Sequence, residues 1–120
     1  MATKRLALIV LVALAVLVPT TARHRGVAAA NGGDKTLLDN EHVLVMEYVF
    51  PPGFKGDEHE APVNELAYVL DGEFAVVTKG KGKAVVKKGQ IEYAAKGTIH
   101  YSLNETRRPA RVLVVFLKNN

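Results

Sequence analysis

GFKGDEHEAPVNELAYVLDG, residues 53–72, places an imidazole and a carboxylate shortly before an apolar run that ends in Asp-Gly. These two groups are His59 and Glu65. A second imidazole, His100, follows another short apolar segment and a Gly-containing turn. Two imidazoles and one carboxylate form a ligand set that suits divalent transition metals. We therefore treat these three side chains as candidate ligands of one metal ion.

Around this stretch the chain has the pattern of β-structure throughout. Short runs rich in β-branched and aromatic residues alternate with Gly-rich or Asp-Gly turns at a spacing of roughly 8 to 12 residues, which is typical of a sandwich or barrel. A helical period is missing outside the N-terminal leader. We predict an all-β fold with little helix and strands at 43–50, 66–70, 74–78, 84–87, 91–94, 99–103 and 112–117.

The N-terminus has the layout of a secretory signal peptide. Lys4 and Arg5 precede an apolar run over 6–18, and small residues follow it. This run is shorter than the roughly 20 residues that span a bilayer, so we expect cleavage and no stable membrane anchor afterwards. We expect a secreted or periplasmic protein, with a signal peptide at 1–22 (cut as late as 30 as the alternative), a flexible leader at 23–40 and one domain at 41–120.

The charge of the chain gives no reason to expect a nucleic-acid partner. The whole sequence carries a net charge of +4, and loss of Lys4 and Arg5 leaves 14 basic against 12 acidic residues, a net charge of +2. A cut after residue 30 would also remove Arg23 and Arg25 and bring the charge to zero. The lysine-rich turn at 79–83 is typical of a solvated hairpin tip. We expect a small-molecule ligand and no nucleic acid.

The chain contains no cysteine, so neither disulfides nor thiolate ligands are available. A domain of this length must therefore depend on its hydrophobic core, which is small relative to its surface. Association of two copies would bury additional apolar surface and so extend that core. We accordingly expect a homodimer.

Two segments resemble the paired motifs of the cupin superfamily. The first motif, Gly-x5-His-x-His-x3,4-Glu-x6-Gly, is matched at Gly53, His59, Ala61, Glu65 and Gly72. The second, Gly-x5-Pro-x-Gly-x2-His-x3-Asn, is matched at Gly89, Ala95, Gly97, His100 and Asn104. Two positions depart from these motifs, since Ala61 replaces a histidine and Ala95 replaces a proline. The spacing between the two motifs is similar to that of small single-domain bacterial cupins.

The resemblance implies a small cupin-type β-barrel, a double-stranded β-helix or jelly roll, that is often dimeric. It also implies one divalent metal ion in the interior, and its ligand positions fall on His59, Glu65 and His100. The identity of the metal, among iron, manganese, nickel and zinc, stays open. The implied function is binding of this metal and, if the protein is an enzyme, oxygenase or isomerase chemistry on a small organic molecule.

Ala61 leaves three interpretations open. The metal is held by the remaining two histidines and Glu65, or Glu60 or Glu58 replaces the missing ligand, or the metal site is degenerate and the barrel binds a small ligand without catalysis. On a regular strand Glu60 would point away from His59, which disfavours it. Side chains that could assist a reaction in the barrel are Tyr48, Tyr68, Tyr93, Tyr101, Gln90 and Asn104.

Overall fold

The computed structural model describes residues 33–119, and this part of the chain is built from β-strands without a helix. The nine strands are β1 Asp34–Asp39, β2 Val43–Phe50, β3 His59–Glu60, β4 Asn64–Asp71, β5 Glu73–Thr78, β6 Gly82–Lys87, β7 Ile91–Ala94, β8 Ile99–Leu103 and β9 Ala110–Leu117. No helix in the described residues has the length and apolarity needed to cross a membrane. The predicted signal peptide and residues 23–32 of the predicted leader lie outside the described range.

The strands form two antiparallel sheets that pack against each other. The five-stranded sheet has the order β1-β2-β9-β4-β7, and the four-stranded sheet has the order β3-β8-β5-β6. Every pairing is antiparallel, including those between strands distant in sequence, such as β2 with β9 and β4 with β9. The predicted all-β fold is confirmed.

The space between the sheets is apolar at one end and polar at the other. Phe50 stacks on Phe54 with ring centroids 4.7 Å apart, and Phe74 packs against Phe50 at 5.5 Å. The fully buried Val69 and Val112 continue this core. Farther along the inner faces, the side chains become polar, with Glu65 and His100 both buried. The apolar end stabilises the barrel, and the polar end is available for chemistry.

Strand β1 differs from the predicted leader, because residues 34–39 are ordered along β2 instead of belonging to a flexible segment. The turn between these strands is fixed by Asn40, whose side-chain oxygen accepts hydrogen bonds from His42 N and Val43 N. Every residue of β1 is exposed, so the strand depends on its pairing with β2 and contributes little to the core.

The tight turn between β4 and β5 requires a glycine. Gly72 has a φ of 73°, in the left-handed region that L-residues with a side chain rarely adopt. A Cβ at this position would lie 2.5 Å from Pro109 O. Gly72 therefore permits both the Asp-Gly hairpin and its close approach to the segment that enters β9.

Candidate metal centre

The pairing of β3 with β8 brings the two histidines side by side. His59 lies directly opposite His100 in this antiparallel ladder, so both side chains project from the same face. Their ring centroids are 4.7 Å apart and the rings are inclined by 54°. Nδ1 of His59 lies 3.0 Å from Asp57 O, and because a carbonyl only accepts, this nitrogen donates. In the neutral ring this contact leaves the lone pair of Nε2 of His59 for a ligand bond.

Glu65 comes from the opposite sheet, near the start of β4. It is paired with Phe116 of β9 and Ala94 of β7, whose side chains share the inner face. One ligand atom from each of His59, Glu65 and His100 lies within 4.8 Å of the other two. Packing of the two sheets thus brings together the three side chains predicted as ligands.

Two buried polar atoms in this group have no hydrogen-bond partner. They are Oε2 of Glu65 and Nε2 of His100, and these two residues are only 8% and 5% exposed. His100 Nε2 lies 3.2 Å from Glu65 Oε1, but the two groups are not aligned as a hydrogen bond. Unpaired buried polar atoms are costly, and coordination of a cation would satisfy both of them. The donor set therefore fits a divalent transition metal.

The adjacent Glu65 carboxylate raises the pKa of His100. Burial acts in the opposite direction, and a further contribution from the charge of Glu92 again raises the pKa. The net effect raises the pKa, so the imidazolium form, which compensates the charge of the buried carboxylate, persists to higher pH than in a free histidine. A metal ion would have to displace this proton, because a ligating nitrogen must be neutral.

Ala61 supplies no ligand, although its side chain lies on the ligand face. The ladder continues beyond Glu60, since Ala61 N donates to Thr98 O at 2.8 Å and Gly97 N donates to Ala61 O at 2.8 Å. Ala61 is two residues from His59 and shares its side of the strand. Its methyl group is buried.

The two glutamates considered as substitutes are not part of the ligand group. Glu60 alternates with His59 on β3 and is exposed, and Glu58 is exposed as well. An added Cβ on Gly97 would lie 3.8 Å from Glu60 Oε1, which places that carboxylate beside the turn before β8. Within the described residues, the metal-ligand cluster consists of His59, Glu65 and His100.

Glu92 on β7 was not predicted from the sequence, yet it faces the interior. It lies opposite Ala67, a core residue of β4. Burial raises its pKa, while His100 lowers it and Glu65 raises it, so Glu92 is within electrostatic reach of the ligand group. The apolar residues Ile91 and Tyr93 flank it and are exposed, the reverse of what their hydrophobicity indicates.

The tyrosines and Gln90, predicted as side chains that could assist a reaction, are not part of the candidate ligand group. Tyr68 and Tyr93 are exposed on the outer face, and Tyr101 lies below the Lys55 ammonium group at 5.5 Å. Burial, followed by the charges of Asp34 and Glu65, raises the pKa of Tyr48 to about 12, so its hydroxyl stays protonated at neutral pH. Gln90 is exposed and accepts a hydrogen bond from Lys87 N.

Asn104 has a structural position. It is fully buried, and its amide nitrogen donates to Phe50 O and Arg108 O, each at 2.8 Å. Its carbonyl oxygen accepts from the Thr106 backbone and hydroxyl. These bonds fasten the loop between β8 and β9 to the end of β2, at the apolar end of the barrel.

Comparison with known proteins identifies relatives of the chain. The family model described as Cupin domain matches residues 46–116. No curated protein matches the sequence. Among solved structures, the protein TT1209 from Thermus thermophilus is similar, with 28% identity and a TM-score of 0.65 over 72% of this chain and 82% of that protein.

Two further structures share the fold at lower identity. An RmlC-like cupin family protein with a double-stranded β-helix fold from Methanocaldococcus jannaschii is 20% identical, with a TM-score of 0.68 over 75% of this chain and 83% of that protein. The polyketide cyclase RemF from Streptomyces resistomycificus is 21% identical, with a TM-score of 0.70 over 79% of this chain and 70% of that protein. At these identities the similarity concerns the fold alone.

Proposed function

The chain belongs to the cupin domain family, and we propose that it binds one divalent metal ion through His59, Glu65 and His100 and acts on a small organic molecule. The observation that carries the proposal is the convergence of these three side chains from two sheets, with two buried polar atoms that have no hydrogen-bond partner. Iron, manganese, nickel and zinc all suit such a ligand set.

The side chains have separable roles in this proposal. His59 is oriented through the contact of its Nδ1 with Asp57 O, which presents Nε2 to the centre. Glu65 supplies negative charge in a buried position, and His100 supplies the second imidazole once its proton has left. A bound metal of this kind would supply Lewis-acid or O₂-binding chemistry, which corresponds to isomerase or oxygenase types.

Elemental analysis of the purified protein tests the proposed centre. After metal supplementation and removal of unbound metal, we expect close to one equivalent per chain, and His59→Ala and His100→Ala should each lose most of it. His42→Ala is the matched control, because His42 is exposed and its Nε2 contacts Glu41. Less than about a tenth of an equivalent in the unaltered protein would contradict the proposal.

The alternative function is a small-ligand-binding barrel with a degenerate metal site. The buried methyl group of Ala61, at a position where the cupin motif has a histidine, favours it. A ligand that binds only the folded state raises the melting temperature. A melting temperature that EDTA lowers and added metal restores would support the metal centre, whereas insensitivity to both would support the alternative.

We further propose that the protein is exported to the periplasm or secreted, without a stable membrane anchor once the signal is removed. The basic start, short apolar run and small residues of the N-terminus support this. Intact mass measurement of the protein from the producing cells tests it. A mass that corresponds to a cut between residues 22 and 30 is expected, and an unprocessed chain would contradict export.

We also propose a homodimer that forms through the outer face of the five-stranded sheet. Tyr68 pairs with Ile91, and Leu66 pairs with Tyr93, so that these side chains lie side by side on the solvent face. Ile91 and Tyr93 are more than half exposed. An apolar face of this kind supports association, since its burial would extend a small core.

A further inference from the structure

A cavity of about 250 Å³ lies beside the proposed metal ligands, between the β5–β6 hairpin and β7. Thr78 links the two, because it lines the cavity and lies directly opposite His100 in the β5–β8 pairing. Opposite residues in an antiparallel ladder have neighbouring side chains on one face. The volume is below the roughly 300–1,000 Å³ of sites for drug-sized ligands. A ligand in this cavity would therefore be small.

The inner wall of the cavity carries a carboxylate. Glu92 lines it and points inward from β7. Among the described residues, Glu92 takes part in none of the ion pairs. A half-buried carboxylate without a cationic partner is suited to accept a hydrogen bond from a hydroxyl or amino group of a ligand.

The mouth of the cavity carries positive charge. Lys81 lines this cavity and also a neighbouring one of about 240 Å³ that shares Thr78 and Thr98. Lys83 lines the mouth too, but its ammonium group is 2.7 Å from Glu105 Oε1. Lys81 forms no ion pair with any described residue. It is thus the cation at the mouth that is available to a ligand.

Lysines at a hairpin usually keep the tip solvated and protect the sheet edge. This explanation accounts for only some of the lysines on and after the β5–β6 hairpin. Lys87 and Lys88 are exposed at the other end of β6 and line neither cavity. Lys81 instead is exposed and lines the same cavity as the half-buried Glu92. A cation at the mouth and an acceptor inside define a ligand with an anionic end and a hydrogen-bond donor.

We infer that the cavity binds a small hydroxylated organic anion, with Lys81 at its anionic group and Glu92 at a hydroxyl group. The inference rests on the proposed function, because it names the class of substrate for the same site. Lys81 is a specificity-determining residue in this arrangement.

NMR titrations of the ¹⁵N-labelled, zinc-loaded protein with small ligands test the inference. Thr78, Ala84 and Thr98 line the cavity, so changes in their amide chemical shifts report binding there. The probes are glycerol, propionate, D-glycerate and sn-glycerol 3-phosphate. We expect D-glycerate or the phosphate to bind at least about tenfold more tightly than glycerol, the factor typical of one charge-assisted contact. The tighter of the two anions identifies the carboxylate or the phosphate as the anionic group.

Two variants separate the roles of the two side chains. Lys81→Met should weaken both D-glycerate and propionate about tenfold, while Lys88→Met, the matched control, should leave both within about twofold. Glu92→Leu should remove most of the preference for D-glycerate over propionate, because propionate has no hydroxyl group. If Glu92→Leu does not fold, Lys81→Met decides alone, since its exposed position tolerates substitution.

The outcome is independent of the metal. The same titrations on EDTA-treated protein should show the same effect of Lys81→Met, because this contact lies at the cavity mouth. Absence of metal binding would contradict the proposed function and leave this result intact. Anions that bind no better than glycerol, or equal effects of Lys81→Met and Lys88→Met, would overturn the inference even in a protein that holds one equivalent of zinc.

Discussion

Ala61 is the residue at which this chain departs from the cupin ligand set. Its methyl group lies on the face of His59 and is buried, so a histidine here would project toward the same interior. The sequence motif was sufficient to locate this position. The structure adds that Glu58 and Glu60 do not replace the missing ligand among the described residues.

Ala61→His should tighten metal binding if the three remaining ligands form a working site. We expect a gain of about tenfold or more in zinc affinity by calorimetric titration, because a further imidazole completes a four-ligand set. Val85→His, which adds an imidazole to an exposed position, is the control and should give no gain. Unchanged affinity in Ala61→His would indicate that the barrel no longer supports metal coordination.

His100 should make the stability of the metal-free protein depend on pH. Glu65 raises its pKa above the ordinary 6.5, and the groups in electrostatic reach are Glu65 on β4 and Glu92 on β7, with His59 adjacent on β3. A raised pKa means that the folded state holds the proton more tightly than the unfolded state. The resulting stabilisation is complete below the unfolded pKa and is lost as the pH rises through the folded pKa.

Thermal melts of EDTA-treated protein between about pH 6 and about pH 8, compared with His100→Gln, measure this contribution. The difference in the free energy of unfolding should shrink as the pH rises. With zinc present the sign should reverse, because metal binding requires the neutral imidazole. A metal-free difference that grows with pH would contradict the assigned pairing of His100 with Glu65.

At the scale of elements, the β4–β5 turn depends on contact with the segment that leads into β9. Gly72→Ala would force a side chain into the left-handed region and 2.5 Å from Pro109 O. Gly53 has a similar φ of 79°, and a Cβ added there would have no atom within 4 Å. Gly53→Ala therefore measures the backbone strain without a steric contact. Chemical denaturation should show a loss of about 1–2 kcal/mol for Gly53→Ala and at least about 1 kcal/mol more for Gly72→Ala. Equal losses would show that the Pro109 contact yields without cost.

How far the elements follow from the sequence depends on burial. The run VLVMEYVF predicts β2 with its observed bounds. Tyr48 and Phe50, two residues apart, both face the core, and Pro51 ends the strand directly after Phe50. Strand β1 has no buried residue, so its local pattern carries no core signal and the sequence predicts a leader there. Strand β3 has only two residues, and its order comes from pairing with the distant β8.

Local spacing predicts the three candidate ligands, whereas the inward position of Glu92 depends on long-range pairing. The two motifs located all three candidate ligands, since their spacing is local to each segment. Glu92 could not be found in this way, because its flanking residues Ile91 and Tyr93 favour the opposite facing. Only the pairing of β7 with β4 turns Glu92 inward, and that pairing is long-range. The available local signal is Ala94, a small apolar residue that lies two positions after Glu92 and therefore on the same face of β7.

At the scale of the whole molecule, the apolar outer face of the five-stranded sheet makes association the expected state. Light scattering during size-exclusion chromatography should give about twice the mass of one chain. Ile91→Lys should shift the protein to the monomer, because it places a charge on the apolar face that forms the proposed interface. Val85→Lys, similarly exposed but on the four-stranded sheet, should leave the dimer intact. A monomeric unaltered protein would contradict the proposed dimer.

The proposed metal centre depends on the complete barrel, because its three candidate ligands come from both sheets and from segments far apart in sequence. The most direct measurement is an anomalous difference map from zinc-soaked crystals, collected above and below the zinc edge. We expect one strong peak per chain among Nε2 of His59, Nε2 of His100 and the carboxylate of Glu65. No peak at that position, or zinc only on surface groups such as His42, would contradict the proposal that this cupin holds its metal on these three side chains.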